Sequence, residues 1–115
     1  MITESEMDGI FQALSHATRR AILDHLRADA GQTVGALASK FDVSRIAIMA
    51  HLRVLEDANL VVSEKDGRAR RLYLNAVPIQ QVYDRWLDSY SGSFAARLTS
   101  IKYAAEETAK REGNT

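Results

Sequence analysis

The chain has 115 residues, of which 46% are hydrophobic and 26% are charged, and this composition is typical of a single globular domain. It has no cysteine, which excludes disulfides, thiol redox sensors and metal sites built on thiolates. The formal net charge is zero, so a charged surface requires charge to be segregated along the chain.

Apolar residues at helical spacing predict two helices at the start of the chain. The first covers about residues 4–14, and its stripe at i, i+3, i+4 and i+7 consists of Met7, Ile10, Phe11 and Leu14. A second helix opens at Thr18 and ends near Gly31, because glycine favours the end of a helix.

A helix-turn-helix arrangement is predicted next. The third helix begins after Thr33, and only Asp42-Val43 separates it from a fourth helix that runs from Ser44 to Asp57. The Ser44 hydroxyl is suited to accept a free backbone N–H at the start of that helix, and Asn59 is suited to the left-handed conformation that ends one. The second helix of such a pair docks in the major groove of DNA.

A hairpin and a final helix are predicted for the rest of the chain. Short strands at Leu60–Val62 and Arg70–Asn75 flank a turn, and Pro78 then opens a helix to about residue 110. Its apolar residues from Tyr83 to Ala105 are spaced close to a heptad seam. Such a helix would span about 50 Å, whereas a domain of this size has a radius of gyration of about 13 Å. Either the helix breaks at Ser91-Gly92-Ser93 or its apolar face packs on a second subunit, and the two alternatives are compatible.

The predicted fold is mainly α-helical with a small β-hairpin, in the order α-α-α-α-β-β-α, and it forms one domain over residues 1–115. Charge is segregated within it, since residues 65–71 have a local net charge of +3 and residues 1–8 have one of −3. A helix able to enter a groove, followed by a hairpin rich in cations, indicates a protein that reads double-stranded DNA.

The candidate DNA contacts lie on the fourth helix and the hairpin. Ser44 is expected to bind a phosphate while it caps the helix, and Arg45 is expected to pair with guanine. Ile46 and Met49 are expected either to contact thymine methyl groups or the sugar wall, or to pack against the third helix. The complete set is Ser44, Arg45, Ile46, Met49, His51, Arg53, Lys65, Arg68, Arg70 and Arg71.

The hairpin cations are interpreted as contacts to phosphates or to the minor groove. Arg71 has an alternative, in which it faces inward along its strand or pairs with Glu64. If Arg70 contacts a phosphate, replacing it with alanine weakens binding to all sequences and lowers the salt slope by about 1.

Three segments of the chain resemble the ArsR/SmtB family of winged-helix transcriptional regulators: FQALSHATRRAILDHL, GQTVGALASKFDVSRIAIMAHLRVLEDANLV and GRARRLYLN. The resemblance covers about residues 7–76, and VPIQQVYDRWLDSY further resembles the branch often encoded beside START-like (SRPBCC) proteins. It implies that Ser44 to Asp57 is the recognition helix, that about Ser63 to Arg71 is the wing, and that His51 has a structural or phosphate-contacting role.

The same resemblance implies a homodimer built on the first and last helices, which represses its own operon until a signal relieves the repression. Tyr83, Trp86 and Tyr90 are expected to form interface core or, alternatively, to line an effector pocket between the subunits. The interface set is Met7, Phe11, Tyr83, Trp86, Leu87, Tyr90, Phe94 and Leu98.

The chain departs from the family pattern where that family binds metals. The cysteine motif would fall at Thr33 to Gly35, which contains no ligand residue, and the final helix contains no histidine. His16, His25 and His51 lie on separate predicted elements. We therefore expect no metal and no cofactor, which leaves three alternatives open for the signal: a small organic effector, a protein partner or no effector.

The expected function is that of a sequence-specific transcriptional repressor that binds a pseudo-palindromic site as a homodimer, and no catalytic motif suggests an enzyme. The rival interpretation is a winged helix that binds an acidic protein partner through its basic wing. The N-terminal residues have no apolar secretory segment, and no apolar run reaches the roughly 18 residues of a membrane span. We expect a cytoplasmic protein with no membrane partner.

Overall fold

The computed structural model describes residues 2–87 and 91–113. Within those ranges the elements are α1 (Glu4–Leu14), α2 (Ala17–Ala28), β1 (Gln32–Thr33), α3 (Val34–Ala38), α4 (Arg45–Asp57), β2 (Val61–Asp66), β3 (Ala69–Leu74), α5 (Val77–Trp86) and α6 (Ser91–Gly113). The chain divides into two compact units, one that ends at Val82 and one that begins at Tyr83. Tyr90 and the side chain of Phe94, both assigned above to the dimer interface, lie outside the described residues.

Local hydrogen bonds fix both ends of α4, as predicted. The Ser44 hydroxyl accepts the backbone N–H of Ala47 at 3.1 Å. At the other end Asn59 has a φ of 60°, and the N–H groups of Asn59 and Leu60 each donate at 2.9 Å to carbonyls of the last turn of α4. This pair of bonds is a Schellman motif, which ends the helix and turns the chain directly into β2.

The wing is a hairpin of β2 and β3, to which β1 adds a third strand, so that the antiparallel sheet has the order β1-β3-β2. Lys65 lies opposite Arg70 in this sheet, and Glu64 lies opposite Arg71. The predicted order α-α-α-α-β-β-α omitted β1. That strand has two residues, too few to show an alternating pattern, and it exists because β3 supplies its hydrogen-bond partners.

The turn from α2 into β1 is held by one glycine and one buried glutamine. Gly31 has a φ of 84° and donates its N–H to the Leu72 carbonyl at 2.8 Å, so it belongs to this turn rather than to the end of α2. Gln32 is 5% exposed, and its amide donates to the carbonyls of His25 and Asp29 at 3.1 and 3.0 Å. Lys40 donates to the same side chain at 2.8 Å, which fastens the end of α2 to the residues after α3.

The hydrophobic core determines which face of α4 is available to a partner. Its fully buried large side chains are Ile22, Leu26, Leu37, Ile48, Leu55, Leu60 and Leu72. Ile48, Leu52 and Leu55 of α4 all point into this core, so the opposite face of the helix is directed outward. Met7 is also buried, at 3% exposure, whereas Phe11 is 47% exposed. Of these two α1 residues assigned to the dimer interface, only Phe11 presents a large surface.

The long C-terminal helix predicted from Pro78 to about residue 110 is present as two helices, α5 and α6. Helix α5 begins at Val77, so Pro78 lies in its first turn. Ser91-Gly92-Ser93, where a break was one of the two alternatives, is the first turn of α6. In the described parts of the chain, no helix combines the length and the apolar character needed to cross a membrane.

Candidate nucleic-acid interface

The outward face of α4 carries apolar and cationic side chains together. Ile46 is 80% exposed and Met49 is 47% exposed, and Arg45 and Arg53 are exposed beside them. The alternative in which Ile46 packs against α3 is therefore wrong. The Arg45 guanidinium lies close to Gly35 of α3. A Cβ added to that glycine would be 3.7 Å from Arg45 Nη1. This contact places the cation beside the start of the helix-turn-helix.

The tip of the wing presents two cations to solvent. Gly67, with a φ of 61°, provides the left-handed residue of the turn between β2 and β3. Lys65 and Arg68 are exposed on either side of it, and neither side chain has a hydrogen bond or ion pair with another described residue. Both side chains are therefore available for the phosphate contacts that are predicted for the wing.

Arg70, in contrast, is held in an ion pair with another residue of the protein. Its Nη2 lies 2.8 Å from Glu56 Oε1 and donates to Ser63 Oγ at 2.9 Å. Glu56 is in the last turn of α4 and Ser63 is on β2, so one guanidinium joins the recognition helix to both strands of the wing. No pattern in the sequence predicts this ion pair, because its two charges are 14 positions apart.

Arg71 is also paired, on the other face of the hairpin. Its Nε lies 3.2 Å from Asp66 Oδ2, and its Nη1 donates to the Gly31 carbonyl at 3.2 Å. Arg71 therefore does form an ion pair, as one alternative predicted, but its partner is Asp66 and not Glu64. Glu64 lies directly opposite on β2, but the diagonal Asp66 on the same face carries the contact.

Two neighbouring grooves lie between the outward face of α4 and the wing. The first, of about 400 Å³, is lined by Thr33, Val34, Gly35, Arg45, Met49, Arg68, Ala69 and Arg70. The second, of about 520 Å³, is lined by Val34, Met49, Ala50, Leu52, Arg53, Glu56, Asp57 and Arg70. The first contains three arginines and no acid, while the second contains two arginines and two carboxylates. Of the two grooves, the first therefore has the more positive lining and is better suited to a phosphate.

His51 lies on the inner side of α4, in a cluster that also contains His16 and Arg19. Its Nδ1 is 3.3 Å from Arg19 Nη1, and its ring centroid is 4.5 Å from that of His16. Burial lowers the pKa of His51 below its ordinary 6.5, and the neighbouring His16 and Arg19 lower that pKa further. The lowered pKa favours the neutral form of His51, in which Nδ1 can accept a hydrogen bond from Arg19.

Arg19 connects this cluster to α1. It donates from Nε to the Ala13 carbonyl at 2.8 Å and from Nη2 to the Gln12 carbonyl at 3.0 Å, near the end of that helix. His16 in turn caps α2, because its Nδ1 accepts the Thr18 N–H at 3.1 Å. A helix-capping role is one of the ordinary roles expected for the three histidines, whereas the role of Arg19 was missed, since Arg19 was used only to mark the start of a helix. The contacts favour a structural function for His51.

Comparison with known proteins identifies the group to which this fold belongs. A helix-turn-helix domain family matches residues 14–64. YuzN of Bacillus subtilis, an uncharacterized HTH-type transcriptional regulator, is 41% identical over 87 residues, which are 70% of this chain and 95% of that protein. A crystal structure of the ArsR family transcriptional regulator RHA00566 is 35% identical, with a TM-score of 0.67, over 77% of this chain and 90% of that one. The chain belongs to the ArsR family of helix-turn-helix transcriptional regulators.

A second solved structure extends the similarity of this ArsR-family chain to most of its length. An ArsR-like transcriptional regulator from Rhodococcus sp. RHA1 is 36% identical, with a TM-score of 0.66, and the match covers 90% of this chain and 93% of that one. The winged helix-turn-helix fold and the function of a DNA-binding transcriptional regulator are thereby confirmed. The resemblance to the branch encoded beside START-like proteins stays a prediction.

Proposed function

We propose that the protein is a homodimeric repressor that binds a pseudo-palindromic operator. Helix α4 enters the major groove of each half-site, and the wing lies over the adjacent backbone or minor groove. The observation that carries the proposal is the acid-free groove to which Arg45 and Arg68 contribute cations, next to the exposed Ile46. Repression is supported by the transcriptional repressor SdpR of Bacillus subtilis, which is 34% identical over 64% of this chain and 81% of that protein.

The candidate contacts divide by chemistry. Arg45, at the first position of α4, is assigned to a guanine edge, where its planar guanidinium makes two parallel hydrogen bonds. Ser44, Arg53, Lys65 and Arg68 are assigned to phosphates, because they are exposed and none of them has a side-chain partner that is charged in the described structure. These phosphate contacts fix the register of the protein on DNA, while Arg45 and the apolar residues beside it read sequence.

The dimer is assigned to apolar side chains that a single subunit leaves exposed. Phe11 on α1, Tyr83 and Trp86 on α5, and Leu87 are each between 45% and 51% exposed, and Leu98 on α6 is 54% exposed. Aromatic side chains of this size are characteristic anchors of subunit interfaces. Since the chain has no cysteine, the signal that relieves repression is assigned to a small organic ligand or a protein partner rather than to thiol oxidation.

A salt-titrated binding experiment on the DNA upstream of the protein's own gene tests the proposal. Fluorescence anisotropy should show saturable binding that weakens as salt rises, and footprinting should show half-sites separated by about 10 base pairs or a multiple. Saturable binding to an acidic protein, with binding to this DNA no stronger than to an unrelated duplex, would establish the rival interpretation.

Analytical ultracentrifugation tests the assembly independently of the operator. The wild type should sediment as a dimer. Trp86→Ala should raise the dissociation constant of the dimer by about tenfold or more, because a large aromatic anchor of the interface is lost. The matched control is Tyr73→Phe, which alters an aromatic residue of the sheet outside the assigned interface and should leave the dissociation constant unchanged. A wild type that sediments as a monomer at all concentrations would contradict the homodimer.

A further inference from the structure

We propose that Glu56 is a positioning residue for DNA binding: it holds Arg70, and through Arg70 the wing, in place against the recognition helix, and this ion pair persists in the complex. The inference rests on the proposed function, because it takes α4 and the wing as the elements that read DNA. It removes Arg70 from the phosphate contacts expected from the sequence.

The first support is the geometry of the ion pair. Arg70 Nη2 is shared between Glu56 Oε1 at 2.8 Å and Ser63 Oγ at 2.9 Å, so the guanidinium has a charged and a neutral acceptor within hydrogen-bond distance. The side chains of Glu56 and Arg70 are 29% and 47% exposed, so both are partly withdrawn from solvent. Charge-assisted bonds of this kind are stronger than bonds between neutral groups.

The second support is the position of the pair in the fold. Helix α4 continues into the wing through the Schellman turn at Asn59, and the first residues of β2 are anchored in the core by Val61. Beyond Ser63 the strands extend into solvent, and Lys65, Asp66 and Arg68 are all exposed. The bond from Arg70 back to α4 therefore acts on the part of the wing that the core does not hold.

The third support is electrostatic. A phosphate that approached Arg70 from the second groove would also meet the carboxylates of Glu56 and Asp57. To release Arg70 for that phosphate, DNA binding would have to break the ion pair and leave Glu56 facing the polyanion. Arg68 provides a cation to the first groove without that cost, since it has no described partner to lose.

The test is a charge swap measured by fluorescence anisotropy over a range of salt concentrations, with the operator duplex as the probe. Glu56→Gln and Arg70→Ala should each weaken operator binding by up to about fivefold, as expected for one partly exposed ion pair, and Arg70→Ala should leave the salt slope unchanged. The double variant Glu56→Arg with Arg70→Glu restores an ion pair of opposite orientation, and its affinity should return to within about twofold of the wild type.

Glu64→Gln is the matched control, because it removes the same charge from the hairpin without contact to Arg70. It should tighten binding slightly or leave it unchanged, whereas Glu56→Gln should weaken it. Thermal unfolding of every variant identifies any that lose the fold. If a single variant loses the fold, the double variant still tests the ion pair.

Two results would overturn the inference. In the first, Glu56→Gln tightens binding as much as Glu64→Gln does and Arg70→Ala lowers the salt slope by about 1, which would make Arg70 a phosphate contact. In the second, the double variant binds more weakly than either single variant. A failure of the proposed function would look different, because the wild type would then show no preference for the operator and Arg68→Ala would leave the salt slope unchanged.

Discussion

The recognition helix and the wing present different chemistry to the same partner. The outward face of α4 combines one cation at its start, Arg45, with the strongly exposed apolar side chains Ile46 and Met49. The wing presents no large apolar surface at its tip but carries Lys65 and Arg68, both exposed. Apolar and planar groups distinguish bases, whereas point charges on a hairpin attract any phosphate. We infer that specificity depends on the helix and that the wing adds affinity for all sequences.

The comparison also shows that counting charges along the sequence overestimates the number of wing cations that are available to DNA. Four cations between residues 65 and 71 appear equivalent in the sequence, but Arg70 is paired with Glu56 and Arg71 with Asp66. Two of the four are therefore neutralised by ion pairs within the protein. The wing is expected to release fewer counterions from DNA than its local net charge indicates.

The largest expected effect comes from the helix. Replacing Arg45 with alanine should weaken binding to the operator by about ten- to hundredfold, since a bidentate contact to guanine is lost, and should weaken binding to unrelated DNA far less. Competition between operator and unrelated duplexes measures this ratio. Arg27→Ala, on the exposed surface of α2, is the control and should leave it unchanged.

An equal effect on operator and unrelated DNA would contradict the inference that specificity depends on the helix while the wing adds affinity for all sequences. If Arg45→Ala lowers operator and unrelated binding by the same factor, Arg45 is a phosphate contact and the helix loses its main base-reading group.

A smaller effect is expected from the apolar side chains of α4. If Ile46 contacts thymine methyl groups, replacing thymine with deoxyuracil in the operator should weaken binding by about fourfold for each methyl group lost. The same substitution should have no effect on the Ile46→Ala variant, which has already lost the contact. A fourfold loss that is equal in the wild type and in Ile46→Ala would assign the methyl contact to another residue.

The smallest expected effect is on the pH dependence of the free energy of unfolding. It involves His51 on the inner face of α4 and not the wing. Because the pKa of His51 lies below its ordinary 6.5, the unfolded chain binds more protons than the folded chain just below that pH. The free energy of unfolding should therefore fall as the pH drops through 6.5 towards the lower folded pKa, and His51 should contribute nothing to this pH dependence well above 6.5.

Urea unfolding at pH 7.5 and 5.5 tests this expectation. His51→Asn should lose less stability between the two pH values than the wild type, and Arg68→Ala should lose as much as the wild type because it leaves His51 and its neighbours His16 and Arg19 unchanged. An identical loss in the wild type and in His51→Asn would show that His51 does not titrate differently on folding.

The sequence by itself determined the local features of the recognition helix α4. The cap at Ser44, the left-handed Asn59 and the inward stripe of Ile48, Leu52 and Leu55 depend on residues within a few positions of one another. Helix ends and amphipathic faces are set by such short-range contacts, so the boundaries of α4 could be predicted closely. The hairpin was predicted from its residue pattern as well, and the family resemblance identified it as the wing.

Only the tertiary structure decided which charged and polar groups are free. Glu56 meets Arg70, Arg71 meets the Gly31 carbonyl, and Arg19 meets His51, over separations of 14, 40 and 32 residues. Strand β1 has the same origin, because its two residues become a strand only when β3 lies beside them. Contacts between groups so distant in the chain depend on how the elements pack, and no periodicity in the sequence records them.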